Sequence, residues 1–366
     1  VASVKFAEPA RSEVERVTPP IAPELYASHD PGRERSSGPL PNRLVTSRYF
    51  AILGVLIVLA IAGAGLTLAY DNPMPVGSEG FWTIAQLRVK TLVVIAIVTA
   101  AQSIATVSFQ TVTHNRILTP GIMGFESLYR LIQTAAVFFL GAAGITFVTG
   151  LTQFLAQIAL MVGFAALLYG WLFGGKRGNL QVTLLIGIVI GGGLGALATF
   201  LQRLLTPSEF DLLTARLIGS VAQARDEYIV PSIIIVALAG GALWWHSRQL
   251  NVLSLGKDAA VNLGINHRRQ TLYVLVLTAV LMAVSTALIG PMTFLGFLVA
   301  MIAYQLADTY DHRYIFPMAW LVGFVLMTSA HFVLRHLFYA QGSVGIIIEL
   351  VGGAFFLFYI LRKGRL

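Results

Sequence analysis

The sequence predicts an all-α integral membrane protein of about ten transmembrane helices. Three observations carry the prediction: 56% of the 366 residues are apolar, only 11% are charged, and apolar runs repeatedly approach the roughly 20 residues that carry a helix across a bilayer. Ordinary soluble domains have about 25% charged residues, so a single water-soluble core does not account for this composition. No cysteine occurs, which excludes disulfides, thiolate catalysis and cysteine-held metals. The net charge of +8 does not point to nucleic acid, because basic residues flanking apolar spans are what membrane topology requires.

Residues 1 to 48 hold seven of the fourteen prolines, with seven basic and six acidic residues, which is the composition of a disordered tail. The stretch lacks the apolar core of a secretory signal, and Arg43 and Arg48 precede the first span, so the amino terminus is expected in the cytoplasm. The remainder, 49–366, reads as one membrane domain, with spans at 49–70, 87–113, 124–140, 148–173, 182–205, 228–245, 271–289, 292–305, 315–337 and 344–361. The third and eighth are short for a full crossing and are bounded by Pro120 and Gly124, and by Pro291 and Gly296. Such segments are expected to be broken helices lining a cavity. With the amino terminus inside, thirteen basic residues fall at inner ends and six at outer ends, which supports an even number of spans and two cytoplasmic termini. "TPGIMGF" (119–125) and "GPMTFLGF" (290–297) echo each other five spans apart. An odd separation implies two inverted halves, an arrangement of transporters.

Several motifs are imitations. "GWLFGGKR" (170–177) ends in Arg177 where a phosphate-binding loop needs Ser or Thr, and an apolar helix precedes it instead of a strand. "GGGLGA" from Gly191 lies inside a span, where close helix packing explains it. The seven histidines contain no HExxH pair, and no G-x-S-x-G elbow occurs. Charges within spans are more informative, because each costs roughly 2.5–3.5 kcal/mol near a helix centre. Glu126 and Arg130 stand in i, i+4 order, which suits either a structural salt bridge or a translocation path. Glu349 lies deep in the last span near Gly345, Gly352 and Gly353, on a face that approaches other backbones or a central path.

The most specific segment is "LSLGKDAAVNLGI" (253–265), which is too polar to cross. Leu255, Ala259 and Leu263 recur every four residues, predicting a short amphipathic helix at about 254–265, bounded by Gly256 and Gly264. It suits docking to a separate motor protein or lying on lipid headgroups. The segment resembles the L-x-L-G-x-x-x-A-x-x-L-G pattern of the permease subunits of ABC importers for iron–siderophore complexes, haem and cobalamin, the type II importers. The resemblance continues through "HNRILTP" (114–120), "KRGNLQVTLLIG" (176–187), "TALIGPMTFLGFLVAMIAYQLADTYDHRYIFP" (286–317) and "SVGIIIELVGGAFFLFYILRK" (343–363).

The resemblance implies a ten-helix type II importer permease fold, with ATPase coupling through Leu255, Gly256, Lys257, Ala260, Leu263 and Gly264. It implies a cytoplasmic gate at Asn115 and Ile117 with Lys176 and Arg177. On the outer side, "QLRVKTL" (86–92) is similar to the family's R-x-P-R segment, so Arg88 and Lys90, with Arg335, become candidates for gripping a substrate-binding protein, the alternative being interfacial snorkelling. The path candidates are Glu126, Arg130 and Glu349. Partners would be a second permease, identical or homologous, two ATPase subunits, an extracytoplasmic binding protein and membrane lipid, without nucleic acid. The chain would need no cofactor, ATP and Mg being held by the ATPase, and would sit in a bacterial cytoplasmic membrane. Ala300-Met301, "GFESLY" (124–129) and "QGSVG" (341–345) depart from the broad pattern and are similar to a branch for catecholate and mixed citrate–catecholate siderophores, with Arg130 available to offset an anionic cargo. The rival reading is an ion-coupled secondary transporter using Glu126 and Glu349, independent of any ATPase.

Overall fold

A computed structural model describes residues 38–147, 150–174, 180–339 and 342–363. The tail before residue 38, together with Lys176 and Arg177, lies outside the described residues. The described chain is helical throughout: α1 (Arg43–Ala69), α2 (Glu79–Thr113), α3 (Phe125–Phe147), α4 (Leu151–Gly174), α5 (Leu180–Gln202), α6 (Pro207–Leu217), α7 (Asp226–Trp245), α8 (Ser247–Leu253), α9 (Lys257–Asn262), α10 (His267–Ile289), α11 (Thr293–Ala307), α12 (His312–His336) and α13 (Val344–Lys363). Eight of these are long and apolar enough to cross a membrane. The other two expected spans are α11, with 15 residues, and α3, interrupted at Gly141 by φ 65 and ψ 179.

Of the boundaries that differ from the sequence reading, two helix starts bear on the candidate residues. α1 begins at Arg43 instead of 49, because the Asn42 side chain accepts a hydrogen bond from Val45 N at 2.8 Å and caps the helix. The last residues assigned to the tail are therefore helical. α2 begins at Glu79 instead of 87, capped by Ser78, which moves Arg88 and Lys90 from a helix end into the body of a helix.

The core is built on α2 and α10. α2 is the most buried span and packs against α10, α12, α7 and α11. Its buried face is partly polar, and Gln102 Nε2 donates to Ser285 Oγ of α10 at 3.1 Å, an interhelical bond in an apolar setting. α1 lies at the periphery, joined to α12 by Tyr49, whose hydroxyl donates to the Tyr314 carbonyl at 2.9 Å.

Helix breaks need close approach. A 3-10 turn, Pro120–Met123, precedes α3, and Gly124 follows it at φ 99. A Cβ on Gly191 of α5 would lie 2.8 Å from Gly124 Cα, so the glycine-rich run packs helix on turn and carries no nucleotide motif. At the second break, Gly219 sits between the α10–α11 junction and the start of α13. Its carbonyl accepts from Gly345 N at 3.0 Å and from the Ser343 hydroxyl, and the adjacent Ser220 N donates to Ile289 O at 2.7 Å. A Cβ on Gly219 would stand 2.6 Å from the Pro291 carbonyl oxygen. Gly219→Ala is therefore expected to cost about 1–3 kcal/mol as overpacking. Gly193→Ala, where a Cβ meets nothing within 4 Å, should leave the detergent melting temperature close to the parent's.

Candidate functional site

Two ends of the bundle and its middle carry the candidate residues. One end holds the turn 114–119, α8, α9 and the turn 308–311; the other holds α6 and the segments 70–78 and 337–339.

At the α9 end, the expected amphipathic helix is shorter than its sequence period suggested. Gly256 at φ 99 separates α8 from α9, Leu263 is the C-cap and Gly264 follows at φ 81. These dihedrals turn the chain sharply on both sides of a six-residue helix. Ala260 is fully buried and anchors the helix to the bundle, whereas Leu255 and Leu263 are 63% and 62% exposed, with Val261 beside them. Lys257 is also exposed. Of the six residues assigned to coupling, Ala260 thus faces inward, and the outward surface is apolar with a cation at its edge.

The neighbouring turn is held by its own side chains. His114 adopts the left-handed conformation at φ 50, the Asn115 carboxamide oxygen accepts from Ile117 N at 2.9 Å, and Gln110 Nε2 donates to the Arg116 carbonyl at 2.7 Å. The Arg116 guanidinium lies 4.6 Å from the centre of the Tyr304 ring, a cation–π contact. Asn115 is spent on an Asx turn and Ile117 is half-buried.

Sequence reasoning missed the link between this turn and α9. His312 Nε2 lies 2.6 Å from Thr111 Oγ1 of α2, and Asn251 Oδ1 of α8 lies 2.5 Å from His312 Nδ1 and accepts from His312 N at 3.1 Å. One buried imidazole therefore connects α2, α8 and α12. Its sequence signal is Asp311-His312-Arg313, within the stretch 286–317. Asp311 caps α12 and binds Arg313 at 2.6 Å.

In the middle, the two short helices meet at their beginnings. Thr293 Oγ1 donates to Glu126 Oε2 at 2.6 Å and lies 3.4 Å from Glu349 Oε1, so residues 167 and 56 positions apart share one hydroxyl. Glu126 Oε1 is buried without a partner. Arg130 makes no ion pair with Glu126 within 4.0 Å, so of the two readings of this i, i+4 pair the structural salt bridge is not formed, and Arg130 is exposed. Glu349 is exposed among Ile346, Leu350 and Val351. A carboxylate there is costly against lipid tails, so this surface faces protein or water.

At the α6 end, Arg88 corrects the expectation of an exposed docking residue. It is 5% exposed, and its guanidinium donates to the carbonyls of Thr67, Leu68, Tyr70 and Asp71 at 2.7–3.2 Å. It caps the C-terminus of α1, where four carbonyls lack helical partners. Lys90 pairs with Asp226 at 2.7 Å, and Arg335 is half-exposed in the last turn of α12. α6 itself went unread, although T-P-S-E carries a start signal: Glu209 Oε2 accepts from Thr206 N at 3.0 Å and Oγ1 at 2.8 Å, with Pro207 at N1. Among the described residues, no group of three or more His, Asp or Glu is placed to hold a metal.

A family model described as the FecCD transport family matches residues 50–363. The petrobactin import system permease FatC of Bacillus anthracis is 49% identical over 335 residues, 91% of this chain and 94% of that protein. The petrobactin import system permease YclO of Bacillus subtilis (strain 168) is 34% identical, over 86% of this chain and 98% of that protein. A solved inward-facing structure of a metal-chelate type ABC transporter superposes with a TM-score of 0.73 at 25% identity, covering 86% of this chain and 99% of that one.

Asp311 generates a pH prediction. Burial pushes its carboxyl up, but the hydrogen bonds from Arg313, the bond to Asn251 and the Arg313 charge outweigh it and hold the group below the usual range. A depressed carboxylate stabilises the fold above its unfolded value and loses that contribution as pH falls through the folded one. Asp311→Ala is expected to cost about 1 kcal/mol at neutral pH. The gap between the parent and variant melting temperatures should close as pH falls below about 4.

Proposed function

This chain belongs to the FecCD transport family, and from that premise we propose that it is the permease subunit of an ATP-driven importer that carries a ferric siderophore across a bacterial cytoplasmic membrane. The observation that carries the reading is the apolar turn at α9: Val261 and Leu263 stand exposed with Lys257 between two glycines of positive φ, and exposed Leu255 precedes the first of them, on an element too short to span anything. An exposed apolar cluster on a polar connection fits insertion into a partner's cleft. The petrobactin import relatives support a siderophore cargo. The chain is a transport subunit; hydrolysis of ATP with Mg falls to two partner ATPases, and no cofactor is assigned to this chain.

The α9 end would then be cytoplasmic, with both termini on that side. Motion of α9 would pass through Ala260 and α8 to His312 and on to α2, whose end carries Asn115 and Ile117 at the gate. The path would run along the surface bearing Glu126, Thr293 and Glu349, closed by a second permease, identical or homologous. Arg130 lies exposed on α3, where it can face an anionic chelate. On the outer side, Lys90 and Arg335 are the candidates for docking a substrate-binding protein, Arg88 being committed to α1.

Leu263→Asp tests this reading. Purified in mild detergent from its own cells, the parent chain should bring an ATPase with it. The variant should fold with the parental melting temperature, because Leu263 is exposed, yet lose the ATPase and reduce ferric siderophore uptake to background. Full uptake by the variant, or uptake driven by an ion gradient without an ATPase, overturns it.

A further inference from the structure

The α6 end contains a partly open cavity of about 210 Å³, lined by residues of α3, α4, α6, α7 and α10 within this one chain. That volume exceeds what a single water needs. Gln133 and Gln157 line it, each 6% exposed. Gln133 Nε2 donates to Gln157 Oε1 at 2.9 Å, which leaves Gln133 Oε1, an acceptor, buried without a partner, while the Gln157 amide donor is turned to the Tyr129 hydroxyl with one hydrogen to spare. Arg216 and Arg225 line the same space. Arg225 has Glu227 at 3.5 Å, whereas Arg216 makes no ion pair among the described residues. Burial pulls Arg216 below the usual arginine value, the charge of Arg225 adds to that and the tyrosines Tyr129 and Tyr228 oppose it. The Tyr228 ring stacks on Phe154 at 4.5 Å and 9° and forms a rigid wall. Two like charges facing one cavity repel, and buried polar atoms without partners each require an explanation.

We propose that this cavity binds a phosphate group bearing a hydroxyl, either free hydrogen phosphate or the phosphoglycerol headgroup of a lipid, with Arg216 and Arg225 gripping the oxyanion. The guanidiniums supply forked donors that match phosphate oxygens, Gln157 Nε2 supplies another, and Gln133 Oε1 accepts from the ligand hydroxyl. This mixed donor and acceptor set selects a hydroxyl-bearing phosphate over an anion that only accepts. The site shares no lining residue with the Glu126, Thr293 and Glu349 cluster, and it does not depend on the cargo proposed above.

The test uses the full chain, delipidated in detergent, with two probes: radiolabelled inorganic phosphate in equilibrium dialysis, and phosphatidylglycerol against phosphatidylcholine in native mass spectrometry. One equivalent of phosphate bound per chain identifies the free anion, and one retained phosphatidylglycerol in preference to phosphatidylcholine identifies the headgroup. In either case Arg216→Gln should weaken binding about tenfold or more, the loss expected for a charge-assisted hydrogen bond. Arg225→Gln, at a more exposed position, provides a second variant if Arg216→Gln does not fold. Binding of neither probe, or parental affinity in the folded variants, overturns the proposal.

Discussion

Inside a bilayer a backbone amide has no water to fall back on, so every interruption of a helix must find its partners in protein. The Gly219 junction meets that demand for three interruptions at once. Its carbonyl takes up the Gly345 amide in the first turn of α13 and the Ser343 hydroxyl before it, and Ser220 N satisfies the last carbonyl of α10. A side chain at Gly219 would force these strands of backbone apart. Because the junction holds, α11 can begin in mid-bundle, and Thr293 can stand between carboxylates from α3 and α13. The arrangement of the acidic cluster is thus a consequence of backbone satisfaction elsewhere.

A second tie works at the other end of the molecule. α9 is attached through Ala260 and α8, and α8 through Asn251 to His312, which also touches Thr111 at the end of α2. α2 in turn is the helix around which the bundle is packed. The exposed leucines are thus tied to the most buried span through packed elements and the His312 hydrogen bonds, with no long connection between them.

The helical architecture was legible because apolar runs and basic flanks are strong signals: the ten expected spans correspond to α1, α2, α3, α4, α5, α7, α10, α11, α12 and α13. The echo around Gly124 and Gly290 marked both broken helices. What escaped was tertiary. Nothing in the local order of Arg88 tells that its guanidinium reaches back about twenty residues to carbonyls of another helix; an arginine near a span end reads the same whether it points at water or at a helix terminus. Glu126 and Arg130 have favourable spacing, yet a carboxylate that already holds a hydroxyl from α11 does not need its helical neighbour. α6 was hidden between two spans because its eleven residues are too few for a hydropathy window, though its capping residues were in view.

Arg88 also bears on how such a chain is made. α1 is synthesised before α2 and enters the bilayer with its last carbonyls unpaired, and it buries little surface against the rest of the protein. Its capping donor arrives only with α2. The first two spans are therefore a unit of biogenesis, in which the second helix must be threaded before the first is held at that depth, and a guanidinium carried in by α2 acts as the latch that closes the hairpin.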